Sequence, residues 1–409
     1  MLLCKASQSL DQELRQGAAK TYEAYASVSN AIKDWNDFES LQLLSKADVI
    51  GFTTTGAAKN FKLLRMLDPK AMIIEEAGQV LESHVLASLT PNLERLILIG
   101  DHQQLKPSVS TYELAKVYKL DVSLFERLIN NSFEFVQLKE QHRMRPEIAQ
   151  IVRLFYPDLE DHVDVRRYPS IKGLEKNVFF LDHMESEQAL EESSSKTNRF
   201  EAEFLLKLAK YLVDQGGYKP SQITILAAYL GQMMLIQRLL TTNEDAAAFN
   251  VTVVDNYQGE ENDIILLSLV RSNEQGAIGY LSAQSRICVA LSRAKMGLYV
   301  VGNMADLGKR SKTWRSIIEH LTQNGHIGPQ LSLMCQFHVD DSKVRVQRPQ
   351  DFDNLQPLCS QICGERLKQC GHICEHPCHI IDRGHYGLYK CKRPCERSCS
   401  LGHPCSKAQ

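Results

Sequence analysis

The chain has 409 residues, 44% of them hydrophobic and 23% charged, and a formal net charge of -2. This suits an ordinary globular protein of two or three domains, in which any grip on nucleic acid must come from local Lys and Arg rather than a global basic field. No apolar run approaches the roughly 18 residues of a membrane span, and the opening MLLCKASQSLDQE lacks the apolar core of a secretory signal, so the expected location is the cytoplasm, with the nucleus as the alternative.

In chain order, residues 8–45 read as a polar helix with few breakers, and 1–45 as the helical remnant of a region that begins further upstream. Three short apolar runs follow. Residues 47–52 end in Thr53-Thr54-Thr55-Gly56, residues 71–74 in Glu75-Glu76-Ala77-Gly78-Gln79, and residues 95–99 in Gly100-Asp101-His102-Gln103-Gln104-Leu105. Apolar runs alternating with helical stretches predict parallel strands with crossover helices, and such sheets hold ligands at the carboxyl ends of their strands. A second set of runs, at 135–138, 178–181, 223–227, 251–254, 264–270 and 298–301, predicts a second α/β domain. The expected domains are therefore 46–130 and 131–325, with an exposed acidic loop at 184–197, a linker at 326–358 and a Cys/His tail at 359–409.

Several of these strand ends carry chemistry. The pair Glu75-Glu76 could hold Mg²⁺ through water and polarise an attacking water. After the run ending at Val254, the stretch Gln258-Gly259-Glu260-Glu261 is a polar turn in which Gly259 permits close backbone approach. The later ICVALSRAK places Arg293 at the expected start of a small-residue helix, from which a guanidinium can reach a phosphate.

Taken together, these motifs resemble superfamily-one helicases of the up-frameshift and senataxin type over roughly residues 45–325. The resemblance implies two RecA-like parallel-sheet domains, the first truncated at its N-terminus, that use ATP with Mg²⁺ and work by opening and closing a cleft. It makes Glu76 the catalytic base, Gln104 the γ-phosphate sensor, Arg143 in Gln141-His142-Arg143-Met144-Arg145-Pro146 and Arg293 the phosphate-contacting arginines, and Glu261 the ribose contact. His142 stands where the family usually places an aromatic residue that stacks on the base. Glu75 stands where the family has Asp, one methylene longer in its reach to the metal. Thr53, Thr54 and Thr55, with Ser268 and Arg271 as weaker candidates, match positions that grip the nucleic-acid strand without reading its sequence. The implied partner is single-stranded RNA, with DNA as an alternative.

The tail concentrates nine of the 12 cysteines. Cys359, Cys363, Cys370, His372, Cys374, Cys378, His379, Cys391, Cys395, Cys399, His403 and Cys405 give soft thiolates and imidazoles at short spacing, which suits tetrahedral Zn²⁺ rather than disulfides in a chain without a secretory signal. The segment is too poor in Leu, Ile, Val and Phe to fold on a core of its own, so metal is expected to supply its stability, at about two ions. The C-G-H-x-C-x₃-C-H pattern resembles NF-X-type zinc fingers, which implies a helicase that carries such fingers. Protein partners acting through the tail are a further expectation.

No G-x-x-x-x-G-K-[ST] occurs in the sequence. A superfamily-one motor holds the β and γ phosphates with that loop and its Lys. The loop is expected upstream of Met1, and the chain is read as a fragment cut at both ends that cannot hydrolyse ATP alone. Two alternatives remain open: an RNA-binding scaffold of helicase shape that does not hydrolyse ATP, and a zinc-finger adaptor.

Overall fold

The computed structural model describes residues 2–189, 195–241, 249–338, 343–355, 359, 361–368, 372–379, 385 and 386, with side chains from residue 15 onward except 112 and 354. The fold is mixed α/β and separates into two units, Met1–His102 with Lys106–Phe135, and Gln103–Leu105 with Val136–Gln409. No described helix is long and apolar enough to cross a membrane.

The first unit opens on helix α1 (Leu2–Leu44), longer than the sequence pattern suggested, with Tyr25, Val28, Ile32 and Trp35 exposed along it. Helices α2 (Thr54–Lys59) and α3 (Phe61–Leu67) lead into β1 (Ala71–Ile74), α4 (Glu82–Ser88), β2 (Arg95–Leu98), α5 (Tyr112–Lys116) and α6 (Leu124–Asn130). Thr53 caps α2 and Ser123 caps α6, each side-chain oxygen accepting from a backbone N–H three residues on. Strands β1 and β2 pair in parallel from Ala71↔Arg95 to Ile74↔Leu98. Behind them Ile74, Ala77, Val85 and Leu124 form a small buried cluster, while Ile73, Ile97 and Ile99 stay exposed.

The run 47–52 is not a strand, contrary to expectation; it is irregular chain with a bend at Asp48, and Val49 is 88% exposed. No described strand lies beside it, and a strand without a neighbour cannot satisfy its backbone groups by pairing. The run 135–138 fails in the same way, with Val136 and Leu138 almost fully exposed.

In the second unit a six-stranded parallel sheet runs in the order β12 (Ile327–Gly328), β5 (Val178–Asp182), β11 (Ala294–Gly302), β10 (Asn262–Ser268), β8 (Ile223–Ala227) and β9 (Asn250–Val253). The short pair β3 (Glu140–Gln141) and β4 (Glu160–Asp161) flanks α7 (Pro146–Val152), and β5 (Val178–Asp182) begins the sheet. The next pair, β6 (Gln188–Ala189) and β7 (Lys196–Thr197), occupies part of the expected acidic loop and leads into α8 (Arg199–Asp214). Then come β8 (Ile223–Ala227), α9 (Leu230–Thr241), β9 (Asn250–Val253), β10 (Asn262–Ser268), α10 (Gln284–Leu291) and β11 (Ala294–Gly302). Helices α11 (Met304–Arg310) and α12 (Lys312–Gln323) precede the edge strand β12 (Ile327–Gly328).

Alternation along β10 builds two cores. Ile265 and Leu267 face one side, with Ile148, Phe180, Val300 and Trp314, whereas Ile264 and Leu266 face the other, with Phe204, Leu205, Ile223 and Ile225. Burial on both faces explains the continuous apolar run Ile264–Leu267 of β10.

The stretch expected as a linker, 326–358, carries structure. Beyond β12 it forms the hairpin β13 (Leu331–Leu333) and β14 (Val344–Val346) and a 3₁₀ turn at Pro349–Asn354. Leu331, Leu333 and Val346 are buried with α8, and Phe352 packs edge-on against Phe204 at 5.2 Å.

Candidate nucleotide site and Cys/His clusters

In the first unit, the carboxyl ends of β1 and β2 are fastened together. Ala77 N donates to Ile99 O at 2.8 Å. A Cβ on Gly78 would lie 2.7 Å from Asp101 O, and one on Gly100 would lie 2.8 Å from Gly78 N, so only glycine allows this approach. Glu75 and Glu76 stand exposed on the resulting turn. Glu76 takes φ of 51°, a left-handed conformation that costs a non-glycine residue energy, and Gln79 Nε2 donates to its Oε2 at 3.1 Å. Thr53 and Thr55 are exposed and Thr54 half-buried at the start of α2, where the Thr53 hydroxyl oxygen is engaged by Gly56 N at 3.0 Å.

In the second unit, Gln141 shapes the turn after β3. Its Oε1 accepts from Arg143 N at 2.9 Å and from Met144 N at 2.7 Å, and its Nε2 donates to Met144 O and Asp161. That turn aims Arg143, whose Nε donates to Glu261 and whose Nη1 donates to Ser292 O at 3.4 Å. Lys295 Nζ lies 2.7 Å from the other Glu261 oxygen. Partial burial alone would raise the Glu261 carboxyl, but the hydrogen bonds from Lys295 and Arg143 outweigh it and hold the group below its usual value. The same pairing raises Lys295. Gly259, at φ of 83°, occupies the left-handed region that a side chain would strain. An open polar recess lined by Asn256, Tyr257, Glu260 and Glu261 borders this pair.

Arg293 differs from expectation. It follows the end of α10 instead of opening a helix, and it is 1% exposed. Its Nε donates to Val289 O at 3.0 Å, Nη1 to Glu260 O at 3.3 Å, and Nη2 to Ser292 Oγ at 2.9 Å and to Gln104 Oε1 at 3.3 Å. Gln104 lies in the short segment that groups with the second unit. Thus Arg143, Glu261, Arg293 and Gln104 come together around the ends of β3, α10 and β11. His142 is exposed nearby, stacked on His162 at 4.1 Å and 3.2 Å from Glu140. Gln141 and Lys295 were given no role from the sequence; each lay inside a motif already singled out, which was the available signal.

Of the nucleic-acid candidates, Ser268 is buried and Arg271 is mostly covered. Ser268 has no exposure: its Oγ donates to Glu201 Oε2 at 2.6 Å and accepts from Gln232 Nε2 at 3.0 Å. The Arg271 side chain is 11% exposed and pairs with Glu187 at 2.8 Å. Ser268 therefore offers a strand no surface, and both residues brace the end of β10.

Two Cys/His clusters stand in the C-terminal region. Cys363, Cys374, His379 and His385 form one, and Cys335, His338, Cys359 and Cys378 the other, with the ligand atoms of each within 4.8 Å of one another. Four ligands of thiolate and imidazole at that spread fit Zn²⁺. Antiparallel bridges join Ile362 to Pro377 and Arg366 to Ile373 in this stretch of the tail. Adjacent residues in extended chain point to opposite sides, so Cys378 and His379 serve different clusters. Cys335, His338 and His385 were missed from the sequence. His372 joins neither cluster. Cys370, Cys391, Cys395, Cys399, His403 and Cys405 lie outside the described residues.

Two AAA-domain families match the chain, at residues 3–111 and 120–305. Mouse (Mus musculus) NFX1-type zinc finger-containing protein 1 is 48% identical over 370 residues, which is 90% of this chain and 19% of the relative. The helicase required for RNAi-mediated heterochromatin assembly 1 of Schizosaccharomyces pombe is 39% identical over 325 residues, 78% of this chain and 32% of that protein. The ATP-dependent helicase NAM7 of Saccharomyces cerevisiae is 33% identical over 340 residues, 78% of this chain and 33% of that one. The chain thus spans a fifth to a third of the length of these relatives.

Proposed function

We propose, since the chain is a relative of the NFX1-type zinc-finger helicases and of the up-frameshift-like superfamily-one helicases, that it is part of an ATP-dependent helicase or translocase. It acts on single-stranded RNA or RNA-containing duplexes. The observation that carries this reading is the cluster of Arg143, Glu261, Lys295, Arg293 and Gln104, three cations set around one carboxylate and one amide. Guanidinium groups fixed by hydrogen bonds match a polyphosphate better than mobile ones, because little side-chain entropy remains to be lost.

ATP with Mg²⁺ supplies the phosphoryl group and the energy. Glu75 would hold the metal, Glu76 would take the proton of an attacking water, and Gln104 would sense the γ-phosphate. Arg143 and Arg293 would neutralise developing charge, Glu261 would accept from the ribose and His142 would stack on the base. Thr53, Thr54 and Thr55 contact the phosphates of the strand, and the two Cys/His clusters hold zinc. The chain as it stands does not turn over ATP, because the sequence has no G-x-x-x-x-G-K-[ST] loop to cradle the phosphates. A second reading, an RNA-binding scaffold that does not hydrolyse ATP, is favoured by Glu75 standing where relatives of the up-frameshift type have Asp.

Joining a segment that carries such a loop to the N-terminus tests the reading. RNA-stimulated ATP hydrolysis by the joined protein is the expected outcome. RNA binding with no hydrolysis selects the scaffold instead.

A further inference from the structure

We propose that Cys335, His338, Cys359 and Cys378 form a metal site that fastens the Cys/His tail to the second helicase unit. This rests on the reading of the clusters as zinc sites and adds a mechanical role to one of them.

The two clusters differ in origin. Cys363, Cys374, His379 and His385 all come from the tail itself. Cys335 and His338 do not: they follow β13, whose Leu331 and Leu333 are buried in the α8 side of the helicase core. Met334 N donates to Gly173 O at 3.0 Å, the same carbonyl that accepts from Tyr211 of α8 at 2.7 Å. Leu333 bridges to Leu174. Cys335 is therefore held by the helicase unit and is 4% exposed. The other two ligands, Cys359 and Cys378, come from the tail, where Cys378 N donates to Gln361 O at 2.8 Å.

The distances are those of a coordination shell. Cys335 Sγ is 3.5 Å from Cys378 Sγ and 3.8 Å from His338 Nδ1, and Cys359 Sγ is 3.4 Å from His338 Nδ1. Tetrahedral zinc sets ligand-to-ligand edges of about 3.8 Å between sulfurs and about 3.6 Å from sulfur to nitrogen. A disulfide would need about 2.05 Å. Three thiolates and one imidazole form a closed structural set with no open position, so the ion acts as a fastener and not as a catalyst. Its ligands come from two segments with different supports, so binding it couples their folding.

The test is metal content of the full 409-residue chain, reduced and loaded with Zn²⁺ or Co²⁺. Cys335→Ser and His338→Ala should each remove one equivalent of metal, and Cys335→His should retain it. In wild type, removing the metal should speed amide exchange at Leu331–Leu333, whereas Cys374→Ser, which damages the other cluster, should leave that exchange slow. Full metal content in Cys335→Ser and His338→Ala would overturn the fastener and leave zinc binding by the tail intact. No metal in the wild-type chain would overturn the zinc reading itself.

Discussion

The two units treat their chemical residues differently. In the second, Arg293 is 1% exposed and anchored by four acceptors, and Arg143 is aimed by a buried glutamine, all against a parallel sheet packed on both faces. In the first, Glu75 and Glu76 sit exposed on a turn above two strands, over a buried cluster of Ile74, Ala77, Val85 and Leu124. Ile97, at 46% exposure, occupies a β2 position whose counterparts in β10 are completely buried. Rigid positioning of a charged group thus follows the depth of the core beneath it. The arginine cluster of the second unit is built in advance, and the carboxylate pair of the first unit rests on a shallow frame.

The largest expected effect concerns Arg293. In the chain joined to a segment that carries a phosphate-cradling loop, Arg293→Ala should lower ATP turnover by roughly 10³–10⁵, as expected for an arginine that stabilises a phosphoryl transition state. RNA affinity should change little, because grip on a strand is spread over many phosphate contacts. Turnover at the wild-type rate in a folded mutant would remove Arg293 from the mechanism.

Next in size is the contrast between the cores. Leu266→Ala should destabilise the second unit by about 2–5 kcal/mol, the cost of emptying a close-packed site. Ile97→Ala should stay within about 0.5 kcal/mol, as surface changes do. Denaturant melts of both mutants measure this, and equal losses would contradict the contrast.

The smallest effect is a pH dependence at Glu261, whose carboxyl the Lys295 and Arg143 hydrogen bonds, against burial, hold below its ordinary 4.5. Its folded value lies below its unfolded one, so its contribution is complete above about pH 4.5 and is lost as pH falls through the lower folded value. A half-exposed pair of this kind contributes no more than about 1 kcal/mol. Melting temperature should therefore fall more steeply in acid for wild type than for Glu261→Gln. Parallel pH profiles would show that the pair adds no stability.

Much of the second unit was legible in the sequence because a parallel strand buried on both faces leaves an unbroken apolar run, as at Ile264–Leu267. That same uniformity hides which way a residue points, so Ser268 could be chosen as a nucleic-acid contact although it lies wholly inside. The runs at 47–52 and 135–138 carry strand composition, yet no described strand pairs with them. Strand propensity needs a neighbour, which composition does not record. Cys335 looked isolated because its partners Cys359 and Cys378 are distant in sequence, although the Cys335-x₂-His338 spacing was a usable sign. The linker reading at 326–358 failed for a related reason: β12 is two residues long, too short to show a period.

The most direct test is ATP hydrolysis by the purified 409-residue chain, with and without single-stranded RNA. Arginines held in place but no phosphate loop should permit weak nucleotide binding and no turnover above background. RNA-stimulated hydrolysis that Glu76→Gln abolishes would contradict the account, because some other part of the chain would then be cradling the phosphates.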